Sequence, residues 1–546
     1  MEAFIIANMA PIMFASLVVV LLLGYPVAFA LAFNGLFWGV IGIWLGLFHP
    51  TFFQALPERI FGVMSNETLL AIPFFTFMGL ILERSGMAEE LLETVGQLFG
   101  PIRGGLAYAV IFVGALLAAT TGVVAASVIA MGLISLPIML RYGYDRRLAS
   151  GVIAASGTLA QIIPPSLVLI VMADQLGKSV GDMYEGAIVP GLVLSALYAG
   201  YVLIVTLVKP NFAPALPKEF RTLRGAQLLV RVIVALIPPL ILIFLVLGTI
   251  FIGVATPTEG GAMGAVGALA LAALKRRLNW GIVRQALEST TKLSAFVLFI
   301  LIGSRVFSLT FYGVDGHVWV EHLLTGLPGG VIGFLIVVNA LVFVLAFFLD
   351  FFELAFIVVP LLGPAAAHLG IDLIWFGVLL GINMQTAFMH PPFGFSLFYL
   401  RSVAPKAPYN DRVTGRLTQP ITTGQIYWGA VPFVCIQVLM IGLTIAFPGM
   451  VMRYQDASHT PPAAVDTQQP AGDPDFNTGT PNFGTAPGSA EPATGSGEPA
   501  APNFGSTPAP APAGTEAPAD GPNFGTAPAP APETQPDGPN FGTPSG

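Results

Sequence analysis

Long apolar stretches separated by short polar intervals run from about residue 10 to about residue 448. Most approach the roughly 20 apolar residues that an α-helix needs to cross a bilayer. They predict spans near 11–33, 34–49, 67–84, 146–173, 187–208, 230–250, 254–274, 293–312, 373–400 and 427–448. Two stretches do not fit as single crossings. Residues 105–140 carry no charge in 36 positions, yet Arg103 precedes them and Arg141, Arg146 and Arg147 follow. Lys and Arg favour the cytoplasmic side, so both ends fall inside and the segment folds back as a re-entrant hairpin with "TTG", 120–122, at its tip. Residues 330–370 read as two arms around "LDFFE"; with no Lys or Arg between Arg305 and Arg401, this hairpin enters from outside. The basic loops 209–231, 275–292 and 401–416 fall inside under this count, and both termini outside. The stretch 87–100 has its acids on one face and reads as an interfacial helix.

The pattern occurs twice. Asp145 is followed after 18 residues by Pro164 and Pro165, and Asp372 after 18 residues by Pro391 and Pro392. Glu67 lies 17 before Arg84, and Glu288 17 before Arg305. The two double prolines are five spans apart, an odd number, so the halves have opposite orientation. Inverted repeats with discontinuous helices mark secondary transporters. The predicted fold is an all-α polytopic membrane protein made of inverted repeats of five spans, each with a re-entrant helical hairpin and a discontinuous helix. Its parts are a first repeat, 1–210 (hairpin 105–140, broken helix 146–173), a basic connecting loop, 211–229, and a second repeat, 230–450 (hairpin 330–370, broken helix 373–400).

Composition agrees: of 546 residues 55% are hydrophobic and 10% charged, where a soluble domain carries about 25% charged. Residues 457–546 differ, being rich in Pro, Ala and Gly, with "PNFG" at 481, 502, 522 and 539 and nine acids but no Lys or Arg. Such a segment is too poor in apolar residues to offset its ordering entropy and is expected to be a disordered tail. It accounts for the net charge of −7, leaving +2 on residues 1–456 and no footprint for nucleic acid. Cys435 is the only cysteine, which excludes an intrachain disulfide or a cysteine metal cluster. The first residues lack the basic region of a secretory signal and read as the first span. No phosphate-binding glycine loop and no nucleophile with a base occurs, so an ATP motor within the chain and an enzymatic role are not expected, nor is a cofactor.

A proline inside a helix removes a donor and clashes with the preceding turn. Pro164 and Pro165 free the carbonyls of Ala160 and Gln161; Pro391 and Pro392 free those of Ala387 and Phe388. Unpaired backbone at membrane depth is tolerated where protein, a cavity or an ion satisfies it, and a hard cation such as sodium takes oxygen ligands. Ser156, Thr158, Gln161 and Ser166 in one half, and Asn383, Gln385, Thr386 and Ser396 in the other, supply more oxygen. The plainer alternative is a proline kink whose carbonyls are repaired by Ser or Thr. Thr121 and Gly122 would begin a second hairpin arm near mid-membrane and offer an anion a helix N-terminus, or else Thr120 and Thr121 only cap and Gly122 only turns. Asp350 and Glu353 are acids at a depth where a charge costs about 3 kcal/mol or more, hence functional candidates; "DFFE" also fits a capping box. His390 either lines the site or is a hydrogen-bonded core histidine, and Glu259 reads as a helix-start acid.

Taken together, "LLAIPFFTFMGLILERSG" (69–86), "YGYD" leading to "IIPPS", "GVATPTEGGA" (253–262) and "LGID" leading to "PPFGFSLFYLRSVAP" resemble the large, DctM-like membrane subunit of TRAP (tripartite ATP-independent periplasmic) transporters over about residues 1–450. That resemblance implies an elevator-like, sodium-coupled uptake of an organic acid across the bacterial inner membrane. It implies a small four-span membrane subunit and a periplasmic substrate-binding protein as partners. It implies sodium held at Thr120, Thr121, Gly122, Ser156, Ala160, Gln161, Pro164 and Ser166 in the first half. In the second half the implied set is Asp350, Asn383, Thr386, Ala387, Phe388, His390 and Pro391. A substrate carboxylate is expected near Ser156, Thr121, Asp350 and Glu353. The chain departs from the family's commonest pattern at "ATTG", "LDFFE" and "HPP". A stand-alone ion and organic-anion symporter of the same architecture is the alternative, and an intramembrane protease using Asp350 a remote one.

Overall fold

The computed structural model describes residues 2–221, 223, 225–411, 414–415 and 417–453; the tail expected at 457–546 lies outside them. The first half contains helices α1 (Met9–Leu22), α2 (Val27–Trp44), α3 (Ala71–Arg84), α4 (Met87–Phe99), α5 (Gly105–Thr121), α6 (Val124–Arg141), α7 (Arg146–Thr158), α8 (Leu167–Gln175) and α9 (Val180–Val208). The second contains α10 (Gly225–Phe251), α11 (Pro257–Leu274), α12 (Trp280–Gly313), α13 (Gly316–Thr325) and α14 (Gly330–Leu345). It continues with α15 (Phe351–His368), α16 (Leu373–Met384), α17 (Phe395–Val403) and α18 (Thr423–Ala446).

Local chemistry explains the boundaries. Gly24 at φ +81° and Pro26 end the first helix, so the boundary expected near residue 33 falls at 23–26 instead; a left-handed residue stops a helix and Pro cannot continue one. Gly122, at φ +58°, turns the chain between α5 and α6, at the expected tip. Asp145 Oδ1 accepts from the N–H groups of Arg147 and Leu148 at 2.9 and 3.1 Å, and Asp372 Oδ1 from those of Ile374 and Trp375 at 2.9 and 2.8 Å. The equivalent acids therefore cap equivalent helices. Capping boxes open α11 (Thr256 with Glu259) and α15 (Asp350 with Glu353). Among the described residues seven helices are long and apolar enough to cross a membrane, or nine if two bent pairs each count as one span. The helices expected to be discontinuous at 146–173 and 373–400 are each broken at their prolines.

The halves interlock reciprocally. α2 packs on α12, and α3 on α11; α10 lies against α4, and α1 against α13. The first arm of each hairpin packs on the broken helix of its own half, α5 on α7 and α14 on α16. The second arm crosses over: α6 lies against α17, and α15 against α8. The last helices exchange in the same way, α18 on α7 and α9 on α16. Small residues allow the closest crossings. A Cβ on Gly151 would stand 2.1 Å from the Gly429 carbonyl oxygen, so α7 and α18 meet backbone to backbone. Small residues permit such packing in membranes.

Candidate ion and substrate site

Each hairpin tip sits on the helix break of its own half. A Cβ on Gly122 would come within 3.6 Å of the Pro165 carbonyl oxygen and 3.3 Å of Leu167 Cγ. In the second half the Phe351 and Phe388 rings are 6.1 Å apart, and Phe347 stacks on the His390 ring at 4.2 Å. The start of α15 also reaches α8, and the short helix Thr386–Met389 reaches α7, which brings the two breaks into one region of the fold.

At the breaks both double prolines contain a cis peptide bond. After α7 the chain makes one tight turn over Leu159–Gln161 and resumes helix at Leu167, with Ser166 as its cap. The Ser166 hydroxyl donates to the carbonyl of Gln161, one of the two that the prolines free. The second half repeats the device, the Ser396 hydroxyl donating to the carbonyl of Phe388. The alternative in which a serine repairs the backbone is therefore present in the structure. A carbonyl oxygen has two lone pairs, so the repair leaves each able to accept again.

The remaining side chains divide into partnered and unpartnered. Thr158 Oγ1 donates to the Ala155 carbonyl at 2.8 Å, and Thr386 Oγ1 to the Asn383 carbonyl at 2.6 Å. Asn383 Nδ2 donates to the Asn339 carbonyl and to Asn339 Oδ1, at 2.8 and 2.9 Å, tying α16 to α14. At the two breaks four fully buried side-chain oxygens have no partner: Ser156 Oγ, Gln161 Oε1, Asn383 Oδ1 and Gln385 Oε1. The two glutamine nitrogens of that set, Gln161 Nε2 and Gln385 Nε2, are unpartnered as well. Ser156 lies under the first hairpin arm, where a Cβ on Gly114 would fall 2.6 Å from its own Cβ. An unsatisfied buried polar group costs about 1–3 kcal/mol, so this concentration around two helix breaks calls for a function.

Asp350 and Glu353 are half-buried and bond to each other's backbone N–H at 2.9 Å. The first turn of α15 is therefore closed by its own acids. Beyond it, Leu354–Val358 widens to a π-helix, a local distortion frequent at functional sites. His390 is buried between Phe347 and Phe343, whose ring is edge-on at 4.2 Å, and neither ring nitrogen is well paired. Thr120 and Thr121 end α5 and Gly122 is its left-handed C-cap, so they do not begin the second arm as expected; α6 starts at Val124, and the side chains of Thr120 and Thr121 lie outside what is described. Asn339 was not foreseen. A lone amide in the apolar run 330–345 was the available signal, because an amide at membrane depth must find a partner.

The sequence model of the tripartite ATP-independent periplasmic transporter, DctM component, matches residues 14–450. The chain belongs to this family. It is therefore a transporter subunit and not an enzyme. The C4-dicarboxylate TRAP transporter large permease protein DctM of Pseudomonas aeruginosa is 33% identical over 362 residues, 65% of this chain and 82% of that one. Its namesake in Vibrio cholerae is 30% identical over 424 residues, 73% and 90% of the two chains. The 2,3-diketo-L-gulonate TRAP transporter large permease protein YiaN of Escherichia coli is 27% identical over 394 residues, 72% and 89%. All three similarities cover most of the relative's length.

Proposed function

We propose that this permease imports a small organic acid together with sodium across the bacterial inner membrane, fed by a periplasmic binding protein and joined by a small four-span subunit. The partners follow from the tripartite family, and an organic-acid cargo from the names of the relatives. The observation that carries the sodium reading is the set of four buried oxygens without partners, Ser156 Oγ, Gln161 Oε1, Asn383 Oδ1 and Gln385 Oε1, grouped at two proline breaks. Among the described residues no group of three or more His, Cys, Asp or Glu forms a metal site. A cation here would meet neutral carbonyl, hydroxyl and amide oxygens, a donor set that suits a hard monovalent ion.

In this reading sodium at the breaks satisfies the orphaned oxygens and supplies positive charge beside the tips. The charge offsets the substrate carboxylate, which Ser156 and the Thr121–Gly122 tip meet on one side and the Asp350–Glu353 turn on the other. Neither ligand is stable at mid-membrane alone, and that mutual dependence is the coupling. The test is uptake by proteoliposomes holding this chain, its four-span partner and the binding protein, with radiolabelled succinate and a panel of 2-oxo and hydroxy acids. An inward sodium gradient should drive accumulation, and 22Na should enter with the acid. Equal uptake under sodium and potassium gradients of the same size would discard sodium coupling; full-rate uptake without the binding protein would favour the stand-alone symporter.

A further inference from the structure

A cavity of about 340 Å³ lies away from the site above, where the start of α7, the end of α9 and the first turns of α18 meet. Its wall is of two kinds. Arg147 and Lys209 are exposed in it, and Lys209 Nζ stands 4.9 Å over the Phe212 ring. Ile204, Val208 and Trp428, also in the wall, are large apolar groups that are 61%, 71% and 65% exposed on membrane helices. Asp145 also lines the cavity, but one of its oxygens is engaged by two backbone N–H groups of α7. The wall thus combines one net positive charge with large exposed apolar side chains.

The three elements meet at the edge of the membrane that carries Arg141, Arg146 and Arg147, the basic loop after Val208 and the basic loop before Thr423. Such clustering marks the cytoplasmic face, and a Trp at this level is a membrane-interface residue. Ligands that match a cation pair together with exposed apolar side chains at this depth have an anionic head and hydrocarbon tails. We infer that this cavity binds an anionic phospholipid of the inner leaflet, its phosphate between Arg147 and Lys209 and an acyl chain along Ile204, Val208 and Trp428. Basic pockets between membrane helices on the cytoplasmic side take such head groups in general. The floor of the cavity is the close crossing of α7 and α18, so the lipid would seal the cytoplasmic seam between the first broken helix and the last helix of the opposite half.

The test uses the full chain in detergent with equal amounts of phosphatidylglycerol and phosphatidylcholine, read by native mass spectrometry. One net basic charge at a membrane surface gives about a fivefold preference, so phosphatidylglycerol adducts should dominate by about that factor. The double variant Arg147→Gln with Lys209→Gln leaves Asp145 uncompensated and should bring the ratio to one or below, whereas Arg147→Lys with Lys209→Arg should keep it. Equal binding of the two lipids by the unaltered chain overturns the inference, as does a preference that survives charge removal. A second readout needs no charge variant: tail-brominated phosphatidylglycerol should quench part of the tryptophan fluorescence, and Trp428→Phe should remove that part. Quenching unchanged in Trp428→Phe places the lipid elsewhere. Inorganic phosphate that displaces phosphatidylglycerol at equal concentration would make the cavity a soluble-anion site and overturn the lipid assignment.

Discussion

The two helix breaks use one device and surround it differently. Each begins with an aspartate cap, passes a cis proline pair and returns a serine hydroxyl to a carbonyl that the prolines free. Around the first break, from Ser156 to Ser166, there is no aromatic side chain, and all positions but Ile163 are buried. Around the second, aromatic rings dominate: Phe343, Phe347, Phe351, Phe388 and Phe393 crowd His390 and the tip, and Pro392 and Phe393 are exposed. At the position equivalent to Gln161, counting from the prolines, stands Phe388. The break geometry is therefore separable from the chemistry that lines it. A third proline pair makes the same point from the other direction. Pro238 and Pro239 lie inside α10, which runs unbroken from Gly225 to Phe251, so adjacent prolines do not by themselves open a helix at membrane depth. In "IPPLIL" no hydroxyl follows to catch a carbonyl.

If the serines are equivalent, Ser166→Ala and Ser396→Ala should each cost about 1–3 kcal/mol, the penalty for a buried carbonyl losing its donor, as equal drops in the unfolding midpoint in detergent. A silent Ser396→Ala beside a costly Ser166→Ala would show that the second break is held by its rings. If the first break carries more of the ion's ligands, Gln161→Leu should raise the sodium concentration for half-maximal uptake about tenfold, or about 1.4 kcal/mol. Phe388→Leu should change it less than about twofold, a shift worth about 0.4 kcal/mol. The aspartate caps give a smaller, symmetric pair: Asp145→Ala and Asp372→Ala should each lower stability by about 1 kcal/mol, with unequal losses showing that one broken helix is better braced. The smallest effect separates the hairpins. Arg141, at the base of the first, holds Asp411 through its Nε and guanidinium nitrogen at 2.9 to 3.0 Å. Burial pushes the Asp411 carboxyl up, but bonds from Thr414 and Arg141 outweigh it and set it at about 2. An unfolded aspartate titrates near 3.9, so this contribution is complete above about pH 4 and lost as pH falls toward 2. Unfolding midpoints should show no Asp411 effect between neutral pH and 5, and Arg141→Gln should make the acid loss shallower.

Much of this architecture was legible because its signals are local. A 36-residue uncharged run between arginines forced a hairpin, Gly122 supplied the turn, and "DFFE" supplied the capping box at Asp350 and Glu353. The matched spacings from Asp145 and Asp372 located both broken helices. What escaped depends on contacts between distant residues. Asn383 with Asn339 and Arg141 with Asp411 are 44 and 270 positions apart, and neither spacing has a periodicity to betray it. The boundary at 23–26 was missed for another reason: apolarity continues through Gly24 and Pro26, and the length criterion outweighed two residues that stop helices.

The exchange of partners between the halves bears on how the chain is made. α2 and α3 of the first half find their main neighbours in α12 and α11, which the ribosome delivers much later. Until then the nascent first half sits in the membrane with its broken helix uncovered by α18 and its second hairpin arm without α17. Insertion can proceed span by span, but maturation cannot: a chain truncated after α9 would be threaded through the bilayer and still be a target for membrane quality control.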